Sequence, residues 1–195
     1  MRSQRILTLV EIALTIALSA VLSLVAARLP INVAGGTISF AMLPILVLAL
    51  RRGVWAGVIA GVGFGMIDYL IEPFFVAYAQ VVLDYGVAFA AVGLAGLGSG
   101  VYKRAVLANP KTGLVAALPF ILLGGVGRFG AAWLSGVIFF GQNAPAGQAV
   151  WLYSLVYNLS YLVPSLILCI VGAALVLPAL ETAVPSTPRV AVPTL

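Results

Sequence analysis

AQVVLDYGVAF, Ala79 to Phe89, places an amide, a carboxylate and a phenol, Gln80, Asp84 and Tyr85, inside a run otherwise apolar enough to dissolve in lipid. A carboxylate at the centre of a bilayer costs roughly 2.5–3.5 kcal/mol on insertion scales, and acids retained there are functional by default. The stretch therefore reads as a membrane helix that carries part of a site.

Composition extends this reading to the whole chain. Hydrophobic residues make up 63% of the 195 and charged residues 8%, against about 25% charge in ordinary soluble domains. That length accommodates about six helices of ~20 residues with short connections, and no soluble catalytic domain besides. Cys169 is the single cysteine and histidine is absent. An internal disulfide and a thiolate metal cluster are excluded, along with the commonest general base and proton shuttle. We expect no metal, no cofactor and no enzymatic activity.

Apolar windows predict helices over Ile6 to Ala27, Ile38 to Leu50, Val54 to Ile71, Phe75 to Gly100, Leu114 to Phe140 and Ala149 to Leu180. MRSQRILTLVEIALTIALSA has the outline of a signal peptide. Glu11 interrupts its apolar run, however, and hydrophobicity continues to Ala27, so a retained first helix is expected. With six spans, Arg2, Arg5, Arg51, Arg52, Lys103, Arg104, Lys111 and Arg189 fall on one side, leaving Arg28 and Arg128 elsewhere. The net charge of +5 thus marks an inner membrane face rather than a nucleic-acid surface. The expected fold is an all-α membrane protein, a six-transmembrane-helix bundle with both termini cytoplasmic. Residues 1–181 form a single domain in this reading, and residues 182–195 a flexible cytoplasmic tail.

Gly53, Gly57, Gly61 and Gly65 recur every four residues and predict a seam of close helix packing. Ala13 and Ala17 make a small-residue pair at the same spacing, facing either a neighbour in the bundle or a separate protein. GVGRFG, Gly125 to Gly130, matches a dinucleotide-binding pattern, but no strand precedes it and no acid stands about 20 residues later. The sequon at Asn158 lies within a predicted span, and no Walker A sequence is present.

Counting inward from the connections assigned to the outside, Asp84 lies about nine residues deep, roughly 13 Å at 1.5 Å per residue. Gln80 and Asp84 share one helix face; Ser154, Asn158 and Tyr161 share another at i, i+4, i+7. Tyr78, Tyr157 and Trp151 read as an interfacial aromatic belt. Arg128, roughly 18 Å deep, is expected to pair with Asp84, with Asp68 as the other available acid. An outward pocket with one acid, amides, hydroxyls and aromatic faces suits a flat, partly cationic heterocycle.

GGTISFAMLPI (Gly35 to Ile45), LRRGVWAG (Leu50 to Gly57), QVVLDYGVAFAAVGLAG (Gln80 to Gly96), GRFGAAWLSGVIFFG (Gly127 to Gly141) and WLYSLVYN (Trp151 to Asn158) together resemble the thiamine-specific S components of energy-coupling factor transporters. The resemblance runs from the first helix to about Leu180. It implies a substrate-binding subunit of the bacterial cytoplasmic membrane that captures a vitamin from outside, then docks on a transmembrane coupling subunit carrying two ATPase subunits. It places the acid contacting the aminopyrimidine at Asp84, with Tyr85 beside it and Gln80 on the same face. The polar pair of the last helix falls at Tyr153 and Asn158, a covering loop at Gly35, Gly36 and Thr37, and the docking pair at Ala13 and Ala17. Ala132 stands where a histidine commonly flanks the thiazolium, and Phe140 where a tryptophan stacks; Trp133 or Trp151 would compensate. Two other readings remain beside it. One is the same architecture for a related heterocycle such as a pyrimidine precursor of thiamine; the other is an intramembrane lipid-modifying enzyme.

Overall fold

The computed structural model describes residues 2–28, 32–33, 36–109 and 112–184. Lys111, Gly35 and residues 185–195 of the tail expected over 182–195, Arg189 among them, lie outside the described residues. Helices dominate: α1 (Arg2–Arg28), α2 (Leu43–Arg52), α3 (Val54–Ile71), α4 (Tyr78–Ala108, continuous but irregular), α5 (Gly113–Phe139) and α6 (Val150–Ala183). Among the described residues, five of these are long and apolar enough to cross a membrane, all but α2. Between α1 and α2, β1 (Asn32–Val33) and β2 (Gly36–Thr37) form a minimal antiparallel ladder, pairing Asn32 with Thr37 and Val33 with Gly36. The sequence predicts no strand there.

The ten residues of α2 rise only about 15 Å, because the helix begins at Leu43 rather than Ile38. Pro44 lies in its first turn, where a missing N–H is tolerated. LPILVLAL is apolar on every side, and a helix of that kind belongs in an interior. Ile45, Leu46, Ala49 and Leu50 are fully buried against Phe64 of α3, Phe89 and Val92 of α4, Ile121 of α5, and Cys169 and Ala173 of α6. Gly53 then turns the chain from α2 straight into α3, at a φ of 93° that disfavours side chains.

The glycine seam of α3 packs on α4. A Cβ at Gly57 would come within 2.8 Å of the Gly93 Cα, while one at Gly61 or Gly65 would run into the carbonyl of Phe89 or Tyr85. Backbones meet directly there, as small-residue seams allow. The sequence predicts the fourth helix over Phe75 to Gly100. Instead α4 starts at Tyr78 and widens into a π-helical turn over Val82–Val87, the segment that bears Asp84 and Tyr85. It then tightens into a 3-10 stretch, Gly93–Gly98. Glycines permit the tightening, since Gly96 abuts the α3 start at Val54 and Gly98 the ring of Phe120. π-turns within helices recur at functional sites because they turn a side chain out of register.

On α1, Ile12, Thr15, Ser19 and Ala26 are buried, whereas Ala13, Ala17, Leu14 and Leu18 are exposed on the opposite side. Glu11, which breaks the apolar run of α1, is bound by Arg52 through Nε and Nη2, the latter at 2.6 Å. Beside it a buried group ties three helices together. Arg51 of α2 donates to Glu181 of α6 at 2.5 Å, and Tyr102 of α4 donates to the same carboxylate at 3.2 Å.

Candidate functional site

A cavity of about 620 Å³ opens where α3 ends and α4 begins, with Glu72, Pro73 and Phe74 among its lining residues. That size is within the range of small-molecule sites. Five helices, α1, α3, α4, α5 and α6, and the β2 segment contribute to its wall.

The π-turn of α4 turns Asp84 and Tyr85 into the cavity. Gln80, one turn earlier and 1% exposed, orients the acid: its Nε2 donates to Asp84 Oδ2 at 2.7 Å, and its Oε1 accepts the Val76 N–H at 3.2 Å. Both ends of this amide are therefore used within the protein. One carboxylate oxygen of Asp84 is fixed in place by this bond, and the buried Ser135 hydroxyl lies beside the group. Tyr85 donates to the Glu72 carbonyl at 2.9 Å, and its ring meets Tyr69 edge-on at 5.2 Å.

Ala132 and Gly136 of α5 and Phe140, which caps its C-terminal end, follow one another every four residues along the cavity wall. Phe140 approaches Phe74 at 5.7 Å between ring centroids. Gly136 is small because the Ser154 hydroxyl of α6 occupies the space of its missing Cβ. That hydroxyl donates to the Trp133 carbonyl at 2.8 Å. Asn158 is 3% exposed and spans the same contact. Its Nδ2 donates to the Ser154 carbonyl at 2.9 Å, and its Oδ1 accepts from Tyr161 at 2.8 Å.

Tyr153, Tyr157 and Tyr161 form an aromatic ladder down α6, with centroids 6.2 and 5.7 Å apart, and all three line the cavity. The β2 backbone lies on the last of these rings. A Cβ at Gly36 would enter the Tyr161 ring, so glycine lets Gly36 and Thr37 form the adjacent wall. Ser165 fastens the chain beyond them, accepting the Ser39 N–H at 3.1 Å and donating to the Tyr161 carbonyl at 2.7 Å.

Three expectations need correction. Arg128 lines the cavity but forms no ion pair with Asp84 or Asp68; its guanidinium lies 4.1 Å over the ring of Phe89. A planar cation is attracted by an aromatic face, and both acids already accept hydrogen bonds, Asp84 from Gln80 and Asp68 from Ser23. Trp133 and Trp151 are not among the residues lining the cavity. Position 133 is one residue, about 100°, off the 132–136–140 stripe, and its Nε1 donates instead to the Trp151 carbonyl at 3.0 Å. Tyr157, read as belt, belongs to the cavity. Tyr78, 83% exposed, is consistent with the belt.

A model of the family described as thiamine transporter protein (Thia_YuaJ) matches residues 9–184. The chain belongs to the thiamine transporter family. It is similar to the thiamine transporter ThiT of Bacillus subtilis (strain 168), with 38% identity over 170 residues that cover 86% of this chain and 88% of the relative. ThiT of Lacticaseibacillus paracasei is 32% identical over 126 residues, 62% of this chain and 63% of that one. Among solved structures, ThiT from Listeria monocytogenes superposes with a TM-score of 0.81 at 26% identity, covering 92% of this chain and 97% of the other.

As a member of the thiamine transporter family, the chain is a multi-pass membrane protein of bacteria. The arrangement brings together one oriented acid, a second acid at Asp68, and aromatic faces around them. Asp68, Ser23 and Tyr157 were not selected as site residues from sequence. The signal for Asp68 was available, an acid in a predicted span, yet it was read only as another partner for Arg128. Ser23 carried no signal, because one hydroxyl in an apolar helix is ordinary.

Proposed function

We propose that this family member is the thiamine-capturing S component of an energy-coupling factor importer. The observation that carries the proposal is the carboxylate of Asp84, held by Gln80 beside the rings of Tyr85, Tyr157 and Phe140 in a cavity of about 620 Å³. In this reading Asp84 receives the amino hydrogens of the pyrimidine, and the tyrosines and Phe140 face the two rings. Tyr153 and Asn158 complete the polar side, and the segment at Gly35, Gly36 and Thr37 covers the ligand. Residues 38–52 count as one crossing, so residues 1–181 form a six-span domain with both termini, and the tail 182–195, in the cytoplasm. The cavity then opens outward. A transmembrane coupling subunit and two ATPase subunits supply the energy, since the chain has no Walker A sequence.

Titration of the purified protein with thiamine and with its separate pyrimidine and thiazolium halves tests the assignment. Thiamine should bind more tightly than either half. A second reading, a pyrimidine-precursor carrier, is favoured by Ala132, whose methyl group offers a thiazolium no aromatic or polar partner. It predicts that the pyrimidine half binds at least as tightly as the whole vitamin. Failure of every one of these ligands to bind would remove both readings.

Docking is proposed at Ala13 and Ala17, on the exposed side of α1. Ala13→Trp should leave thiamine binding intact, because neither alanine lines the cavity. Overpacking a close helix contact costs about 1–3 kcal/mol, so uptake through co-expressed partner subunits should fall about tenfold. Normal uptake by this variant would place the docking face elsewhere.

A further inference from the structure

The cavity has a second interior carboxylate that forms no ion pair among the described residues. Asp68, on α3, lines it together with Ser23 of α1. The Ser23 hydroxyl donates to Asp68 Oδ1 at 2.5 Å, which holds the group in place and brings it no positive charge. Among the described residues, the ion pairs are Arg51–Glu181 and Arg52–Glu11, neither of which involves it. Arg128 lines the same cavity on the face of Phe89, and its single positive charge acts on Asp68 and Asp84 together. Glu72, one turn further along α3, is exposed at the helix end, where water screens it. Asp68 and Asp84 are thus the interior carboxylates facing this cavity, and they sit on different helices.

Two interior carboxylates facing one guanidinium leave a negative charge over, which is costly within a membrane domain. A ligand with a fixed positive charge removes that cost at every pH, because a thiazolium has no proton to lose, whereas a neutral ring leaves it in place. Asp84 differs in having two neutral donors beside it, the Gln80 amide and the Ser135 hydroxyl, against the single Ser23 hydroxyl at Asp68. We propose that Asp68 is the counter-ion that selects a permanently cationic ligand, while Asp84 receives the hydrogens of the amino-substituted ring. This rests on the reading of the cavity as a thiamine site and assigns the two ends of the vitamin to two acids.

The test compares thiamine with a neutral isostere in which thiophene replaces the thiazolium, titrated into the purified full-length protein. Wild type should prefer thiamine by about tenfold or more, the scale of a charge-assisted contact. Asp68→Asn should lose most of that preference, with isostere affinity changing less than about twofold, while Asp84→Asn should weaken both ligands and keep their ratio. Equal weakening of both ligands by Asp68→Asn, or of neither, overturns the proposal. Should Asp68→Asn fail to fold, Asp84→Asn decides alone: a retained preference for the cation supports Asp68, and a lost one assigns the counter-ion to Asp84. Wild type binding neither ligand would remove the thiamine reading itself. Equal binding of both by wild type would remove only the role of Asp68.

Discussion

Asp84→Asn is expected to weaken thiamine binding by about 2–5 kcal/mol, the usual cost of truncating one partner of a buried charged hydrogen bond, or thirty-fold and more in Kd. The reason is a conflict of lone pairs. The carboxylate accepts from Gln80 Nε2 through Oδ2 and still has a second anionic oxygen for the ligand. An asparagine has one carbonyl oxygen. If that oxygen keeps the Gln80 bond, its NH₂ faces the amino group of the pyrimidine, donor against donor. The fold should survive, because an amide of equal size retains the Gln80 contact and the backbone packing of Tyr85 on Gly65 is untouched. Isothermal titration gives the affinity, and thermal unfolding in detergent checks integrity. A variant that binds thiamine like wild type would make Asp84 a packing group.

Removing Glu181 should act on stability instead. Glu181→Ala leaves Arg51, 4% exposed, without its ionic partner, and removes an acceptor from Tyr102, which is fully buried. Breaking a buried ion pair from one side typically costs 3–5 kcal/mol. Part of that should be recovered here, because Arg51 Nη2 also donates to the Val184 carbonyl at 2.7 Å. Glu181→Gln, which keeps an acceptor but loses the charge, should fall between. None of Arg51, Tyr102 and Glu181 lines the cavity, so thiamine affinity should hold at temperatures where the variants remain folded. Replacing both partners, Arg51→Met with Glu181→Leu, should restore much of the loss, since the desolvation cost of both charges then disappears. An unchanged melting temperature for Glu181→Ala would show that this three-helix junction contributes little.

Several of these features were legible in the chain before any tertiary contact was known. Val54–Ile71 was bounded correctly at both ends, since Gly53 precedes it and the apolar run stops at Glu72. The glycine period predicted the α3 seam, because only small residues let two backbones touch. Asp84 stood out because a carboxylate in an apolar run needs a reason. The irregular course of α4 was not legible: its π-turn and 3-10 stretch depend on which carbonyls meet the glycines of α3, and that is decided by the neighbouring helix. The tryptophans misled for a related reason. Aromatic residues near a membrane interface suit a cavity and a lipid belt equally, and one step of about 100° along α5 separates Ala132, in the cavity wall, from Trp133, outside it.

The amino-acid sequence alone determined that this chain lives in a membrane, where most of its helices run, which backbones approach closely, and that at least one interior acid requires a partner. Tertiary structure decided the partners: Gln80 rather than Arg128 for Asp84, Ser23 for Asp68, Phe89 for Arg128, and a tyrosine ladder rather than the tryptophans for the cavity wall. In water, hydrophobic periodicity tells the inside of a protein from its outside. Lipid is as apolar as a protein core, so the same side chains satisfy either surroundings, and the direction each polar group takes is set only when the helices pack.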